Sequence, residues 1–266
     1  MRYKVTLQPI STSDKQKRFV LPDNFYTELA RNISNIIHIS DKSLQNWLQR
    51  FGFQQKTNPF RFYTFSHLDI PKTQKLPIGA ELKCNELYFF ISFYPFFEIS
   101  DFIDKIFKDK IIVFEDFNIR LELIVSKFEK LNPDVLSEKM KFSALSPILV
   151  SYKDHTANHY TEYMYPKGEK FRELFAACLI DKYRVLSQFP DTLKGATPRS
   201  ELDIKLLKSP KACAVSVNPN TRQEIQLLSY LFDFEITGPI ELIEIGYHLG
   251  FGEENYNGFG FCKKME

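Results

Sequence analysis

The sequence predicts an α+β protein made of two β-α-β-β-α-β units in tandem, and three observations carry that prediction. Strand-like alternation and helix-like spacing of apolar residues succeed one another in this order twice. A polar stretch at 129–139, with Asn132, Pro133 and Asp134, breaks both periodicities near the middle of the chain. The 266 residues are 44% hydrophobic and 26% charged, which is enough for two small cored domains and unlike a disordered or fibrous chain.

Residues 1–10 place Tyr3, Val5 and Leu7 on one face and Arg2, Lys4 and Thr6 on the other, as a first strand requires. Pro22 and Asp23 open a helix in which Phe25, Leu29, Ile33 and Ile36 or Ile37 recur at helical spacing, ending near His38. Ser40 is placed to cap a second short helix, 41–51, with Leu44, Trp47 and Leu48 on one side and Gly52 ending it. Aromatic-rich runs at 60–68 and 87–95 read as strands, 97–108 as a helix, and 111–115 and 118–125 as closing strands. The second cycle reads as a strand at 140–152, a long helix at 169–189 and strands at 202–207, 213–218 and 226–237. A helix at 239–249 and a last strand at 259–263 complete it. Two ferredoxin-like units, 1–128 and 139–266, account for this order, although no repeat is visible between the halves.

With 35 Lys and Arg against 33 Asp and Glu, a net charge of +2 excludes a uniformly basic coat. Local charge is less even. Lys194, Arg199, Lys205, Lys208, Lys211 and Arg222 face only Glu201 and Asp203 within their segment. Lys42, Arg50, Lys56, Arg61, Lys72 and Lys75 are opposed by Asp69 alone, whereas 224–261 carries seven acids and no Lys or Arg. Such separation suits a polyanion crossing one face, and equally suits solvated faces. The 26 Phe and 13 Tyr favour strands and supply flat surfaces on which bases stack. Cys84, Cys178, Cys213 and Cys262 are widely spaced, which argues against a zinc knuckle or a disulfide framework and for free thiols. No apolar signal core or membrane-length run is seen, so a soluble, cytoplasmic protein is expected.

The glycines near the carboxyl end are paired: Gly250-Phe251-Gly252, five residues, then Gly258-Phe259-Gly260. Glycine tolerates positive φ and lets backbone N–H groups approach a ligand, so this spacing fits a phosphate or backbone cradle, or a tight structural turn. A dinucleotide fingerprint needs glycine where Asn255 stands, a Walker A loop needs Gly-Lys-Ser/Thr, and a kinase loop needs catalytic segments downstream.

The same signature resembles that of the CRISPR-associated RAMP proteins, specifically the sixth Cas family, endoribonucleases that cut repeat RNA. Leu21-Pro22-Asp23-Asn24-Phe25-Tyr26, Phe62-Tyr63-Thr64-Phe65-Ser66 and Leu145-Ser146-Pro147-Ile148-Leu149-Val150 stand where that family has similar runs. The resemblance implies tandem ferredoxin-like (RAMP/RRM-like) domains, binding of precursor crRNA, no cofactor, and cleavage that is independent of metal. It also implies cleavage by 2′-OH attack, leaving a 2′,3′-cyclic phosphate and a 5′-OH. Other Cas effector proteins are expected further partners, and the chain is expected to be a monomer or homodimer.

Many members carry a histidine where Gln49 stands, and Gln takes no proton at neutral pH. Others place it at the end of the first helix, which points to His38, with Lys42 and Arg50 to offset phosphate charge and Tyr26 as a weaker candidate. His38 is equally read as a residue favouring the helix dipole, and His67 as a loop histidine or a second candidate. His155 and His159 lack the company of a metal site, and His248 is read as either an RNA contact or a buried residue. Gly250, Gly252, Gly258, Gly260, Lys194, Arg199, Lys205, Lys208 and Lys211 are the expected RNA-binding residues. Glu253 and Glu254 sit awkwardly for phosphate and are expected to point outward or to bond a base edge or ribose hydroxyl.

Overall fold

A computed structural model describes residues 1–10, 18–39, 62–95, 100–153, 161–188, 202–217 and 224–266. In the first half the elements are β1 (Arg2–Pro9), β2 (Val20–Leu21), α1 (Phe25–Ile39), β3 (Tyr63–Phe65), β4 (Thr73–Lys75), β5 (Ala80–Leu82), β6 (Leu87–Phe93), α2 (Ser100–Ile103), β7 (Ile111–Glu115) and β8 (Arg120–Lys130). They build a five-stranded sheet in the order β3-β6-β1-β8-β7, with β2, β5 and β4 forming a small separate sheet. The central strand β1 pairs antiparallel with both β6 and β8, and its Tyr3, Val5 and Leu7 are fully buried. Helix α1 turns Leu29, Ala30, Ile33 and Ile37 into the core, as their spacing predicts. On its flank Asn32 exchanges two hydrogen bonds with the Val113 backbone of β7, donating at 2.7 Å and accepting at 3.1 Å. That covers part of an edge strand which would otherwise offer unpaired groups to another chain.

The second half contains β9 (Lys139–Ala144), β10 (Ser151–Lys153), β11 (Thr161–Tyr163), α3 (Glu169–Leu186), β12 (Asp203–Leu206), β13 (Lys211–Val217), β14 (Ile225–Leu231), β15 (Asp233–Thr237), α4 (Ile240–Leu249), a 3₁₀ turn (Asn255–Asn257) and β16 (Cys262–Lys264). Its four-stranded sheet runs β12-β15-β9-β16, all antiparallel. The interleaved order places β9 between the last two strands of its half, which is the ferredoxin-like arrangement. Hairpins β13–β14 and β10–β11 stand beside the sheet.

The structure differs from expectation at several boundaries. The strand expected to end at 125 continues to Lys130, so the connection between halves shrinks to 131–138. The run 140–152 is not one strand: β9 stops at Ala144, and Pro147, which has no N–H for a ladder, lies in a loop before β10. The run 226–237 divides at Phe232 because β14 pairs with β13 whereas β15 joins the four-stranded sheet. Of the helix expected at 97–108, the described part is helical only over α2 and then turns, with Asp109 at φ 58°. The small β2-β5-β4 sheet was not foreseen, since its strands are too short to show a period. The helix expected at 41–51 lies outside the described residues.

One contiguous apolar core runs through both halves, from Tyr3 to Cys262. Arg2 crosses between them, donating to the carbonyls of Tyr247 at 2.6 Å and Cys262 at 2.7 Å. Its guanidinium lies 3.5 Å from the Tyr247 ring centroid and 4.3 Å from that of Phe261. Among the described residues no helix is long and apolar enough to cross a membrane.

Candidate nucleic-acid interface

The segment from Gly250 to Gly260 is folded back on itself and braced from four sides. Phe251 N–H donates to Gly260 O, Gly260 N–H to Pro147 O, and Glu253 N–H to Leu149 O. Asn255 reaches across with Nδ2, 3.3 Å from Phe251 O and 3.0 Å from Phe259 O. Thr64 of β3 donates to Phe259 O at 3.0 Å, so the first half also holds the loop. Ser146 donates to Phe65 O at 3.2 Å and accepts from Phe261 N–H at 2.9 Å. The Phe62–Ser66 and Leu145–Val150 runs, distant in sequence, therefore form the bed on which the glycine loop lies.

Gly250, Gly252, Gly258 and Gly260 are all buried, with φ of 89°, 76°, 86° and 74°. At Gly260 an added Cβ would sit 1.9 Å from Phe251 O, and at Gly258 2.6 Å from the Phe65 ring. The positive φ and these close approaches leave glycine alone able to occupy both positions.

One polar side chain in this bed, Lys182, was missed by sequence reasoning, and a second, Glu253, takes partners it did not foresee. Lys182, on α3 and only 5% exposed, donates to Gly250 O at 2.5 Å and Gly252 O at 2.8 Å. Burial lowers its pKa to about 8, with Cys178 and Glu253 pulling the other way. The Glu253 carboxylate does not take the first of the two orientations expected for it, outward, but turns to Ser151. It accepts from Ser151 N–H at 2.7 Å and from Ser151 Oγ, with Lys153 Nζ 3.7 Å away. Glu254 adopts φ 53° and accepts from Asn257 Nδ2 at 2.9 Å. Lys182 stands in a helical pattern where a buried lysine is uncommon, and nothing in the pattern marks it.

Tyr26, in the first turns of α1, meets His67, just beyond β3, edge to face with ring centroids 3.8 Å apart. The Tyr26 hydroxyl and His67 Nε2 are buried, and neither has a hydrogen-bond partner in the structure. Desolvation lowers the His67 pKa to about 3, so the imidazole is neutral at physiological pH and a weak base. His38 lies on the same continuous helix, about 18 Å further along its axis at ~1.5 Å per residue. Tyr26 and His38 therefore do not reach one phosphodiester together. The His38 side chain, Lys42, Gln49 and Arg50 lie outside the described residues, as do His155 and His159. His248 is largely buried, its pKa lowered to about 2 by desolvation and neighbouring positive charge.

Of the basic residues, Lys205 is exposed on the edge strand β12 and Lys211 opens β13, while Lys208 is paired with Asp233 at 2.6 Å. Lys194 and Arg199 lie outside the described residues. The β13–β14 hairpin reaches the first half, where Thr27 Oγ1 donates to Ser216 O at 2.9 Å, one residue beyond Tyr26.

Comparison with known proteins agrees with this geometry. A curated relative, CRISPR-associated endoribonuclease Cas6 1 of Methanocaldococcus jannaschii, is 27% identical over 255 residues, covering 93% of this chain and 88% of its own. A Cas6-related protein of Pyrococcus furiosus superposes with a TM-score of 0.76 at 22% identity, over 100% of this chain and 98% of its own. A structure described as a CRISPR-associated protein Cas6 gives a TM-score of 0.74 at 25% identity, over 100% and 99% of the two chains. A RAMP protein described as binding different RNA substrates gives 0.76 at 24%, over the whole of both chains. The fold of these neighbours is the tandem ferredoxin-like arrangement seen here. Residues 130–264, the β9 sheet and the glycine loop included, match the family described as CRISPR-associated protein Cas6, C-terminal, and the chain belongs to the Cas6 family.

Proposed function

We propose that this chain is an endoribonuclease that binds precursor crRNA and cleaves within its CRISPR repeats by attack of a ribose 2′-OH on the adjacent phosphate. The oxygen–phosphorus bond to the 2′ oxygen forms as that to the 5′ oxygen breaks and the leaving 5′ oxygen takes a proton from water, giving a 2′,3′-cyclic phosphate and a 5′-OH. The observation that supports this reading is the meeting of β3, the Leu145–Val150 loop and the glycine loop beside Tyr26 and His67, whose buried polar atoms lack partners. The name of the Methanocaldococcus relative, an endoribonuclease, supports the same activity.

In this reading residues 1–128 carry the chemistry and 139–266 the glycine loop that holds RNA backbone. His38 takes the 2′-OH proton, since an unperturbed imidazole titrates near ~6.5. Lys42 and Arg50 offset the charge of the crowded phosphorane. Tyr26, the weaker catalytic candidate, stands about 18 Å along α1 from His38 and so does not share its phosphate. Lys205, Lys208, Lys211, Lys194 and Arg199 hold the repeat stem or its single-stranded flank, with Lys208 needing to leave Asp233 to do so.

A second reading, a member that captures repeat RNA without cutting it, is favoured by Gln49 at the usual histidine position and by the weak basicity of His67. One assay separates the two. Purified protein is mixed with repeat RNA in excess EDTA, comparing wild type, His38→Ala and a substrate with 2′-deoxyribose at the cut. Cleavage lost with His38→Ala and with the deoxy substrate, while binding persists, is the expected result. Cleavage untouched by His38→Ala removes that residue from the mechanism, and tight binding without product makes the chain a capture protein.

A further inference from the structure

A cavity of about 330 Å³ opens where the start of α3 meets the free edge of β12, away from the glycine loop. Lys167, Arg172 and Lys205 line it, with Asp203 beside them and Phe171 and Ile204 at its floor. Among the described residues strand β12 pairs only with β15, and residues 203–206 of this edge strand line the cavity. Elsewhere in this half lysines are neutralised locally: Lys153 by Glu253, Lys170 by Glu162, Lys139 by Glu235. Lys167, Arg172 and Lys205 have no such ion pair among the described residues, and neither has Asp203. Three unneutralised cations around one concavity favour an anion. The remaining lining is wrong for a bare one. Asp203 would repel a lone phosphate, and an apolar floor offers it nothing, whereas a base rests on apolar surface. A carboxylate accepts from an exocyclic amine or a ribose 2′-OH. The volume is at the lower end of small-ligand cavities, ~300–1,000 Å³, which suits one nucleotide and not a duplex.

We infer that this cavity is a single-nucleotide subsite for the bound RNA strand, its phosphate held by Lys167, Arg172 and Lys205 and its base or ribose hydroxyl by Asp203. The inference rests on the RNA-binding reading above and extends it. Lys182, which braces the glycine loop, lies 14 positions beyond Gly168 on α3. At ~1.5 Å per residue the subsite is therefore about 20 Å from that loop, and one strand touching both is fixed at two points.

The experiment measures repeat-RNA affinity in EDTA across a range of salt for wild type, Arg172→Gln/Lys205→Gln and a control, Lys108→Gln/Lys127→Gln, which removes the same charge from the first half. Each phosphate contact on a single strand contributes roughly 0.7 to the slope of log affinity against log salt. The subsite holds one phosphate, so losing two of its three cations should make the slope shallower by about 0.7 in the cavity variant and lower its low-salt affinity roughly tenfold. A slope that matches wild type, or a control that changes as much, overturns the subsite. In parallel, 4-thiouridine is scanned through the repeat RNA on unmodified protein. Crosslinking of one position to peptides containing 167–172 or 203–206 is expected, and crosslinks confined to other peptides overturn the inference. Wild type that binds repeat RNA no better than unrelated RNA overturns the functional reading itself, an outcome distinct from bound RNA with an unchanged slope.

Discussion

His67 pairs its ring with Tyr26 inside the bed of the glycine loop, and its protonation is coupled to folding. In the folded protein its pKa is about 3, against ~6.5 in an unfolded chain. Above pH ~6.5 both states hold it neutral and it adds no pH dependence. Below that, the unfolded chain takes a proton that the folded chain refuses, so stability falls as pH drops from ~6.5 towards 3. At pH 5 this amounts to about 2 kcal/mol at ~1.4 kcal/mol per unit. His67→Gln is therefore expected to lose about 2 kcal/mol less than wild type between pH 7 and pH 5 in urea titrations. Parallel losses in the two proteins would show that His67 protonates freely in the fold. His248, also shifted down, is common to both proteins and cancels in this comparison.

At the scale of elements, the glycine loop is specified by what its missing side chains make room for. Gly260→Ala puts a methyl 1.9 Å from Phe251 O at φ 74°, and is expected to cost about 3 kcal/mol or more by adding overpacking to left-handed strain. Gly168, before α3, also has positive φ, 92°, but an added Cβ meets nothing within 4 Å. Gly168→Ala is thus expected to cost only the backbone term, about 1–3 kcal/mol for its extended positive-φ conformation. Chemical denaturation of both variants checks the contrast, and equal costs would mean that backbone strain alone keeps the loop glycines. The regular pairing of these glycines was legible in the sequence because both members of each pair lie in one short segment. Their braces were not. Lys182 is 68 positions from Gly250 and Thr64 is 195 from Phe259, and no local period connects residues so far apart.

Over the whole molecule, Arg2 does what no single half does alone. Burial lowers its pKa to about 10, so it stays charged at neutral pH while bonded to carbonyls of α4 and β16 and held against two rings. Arg2→Met keeps much of the apolar stem but leaves two buried carbonyls unpaired and removes the cation–π contacts. About 3 kcal/mol of stability should be lost, compared with ~0.5 kcal/mol or less for Lys127→Met on the exposed face of β8. Thermal and urea unfolding of both variants measure it. A loss at Arg2 no larger than at Lys127 would mean that the shared apolar core alone ties the halves together.

The alternation of Tyr3, Val5 and Leu7, the helical spacing of Leu29 and Ile33, and the paired glycines were enough to determine the type of their own elements, the tandem α+β order and the family likeness. Each is a local pattern that backbone geometry imposes over a few residues. Only the tertiary structure decided that β14 and β15 serve different sheets, that Glu253 turns inward to Ser151, and that Tyr26 belongs with His67 rather than with His38. Those outcomes depend on which distant groups satisfy a buried polar atom or strand edge, and that choice is made by packing across the whole chain.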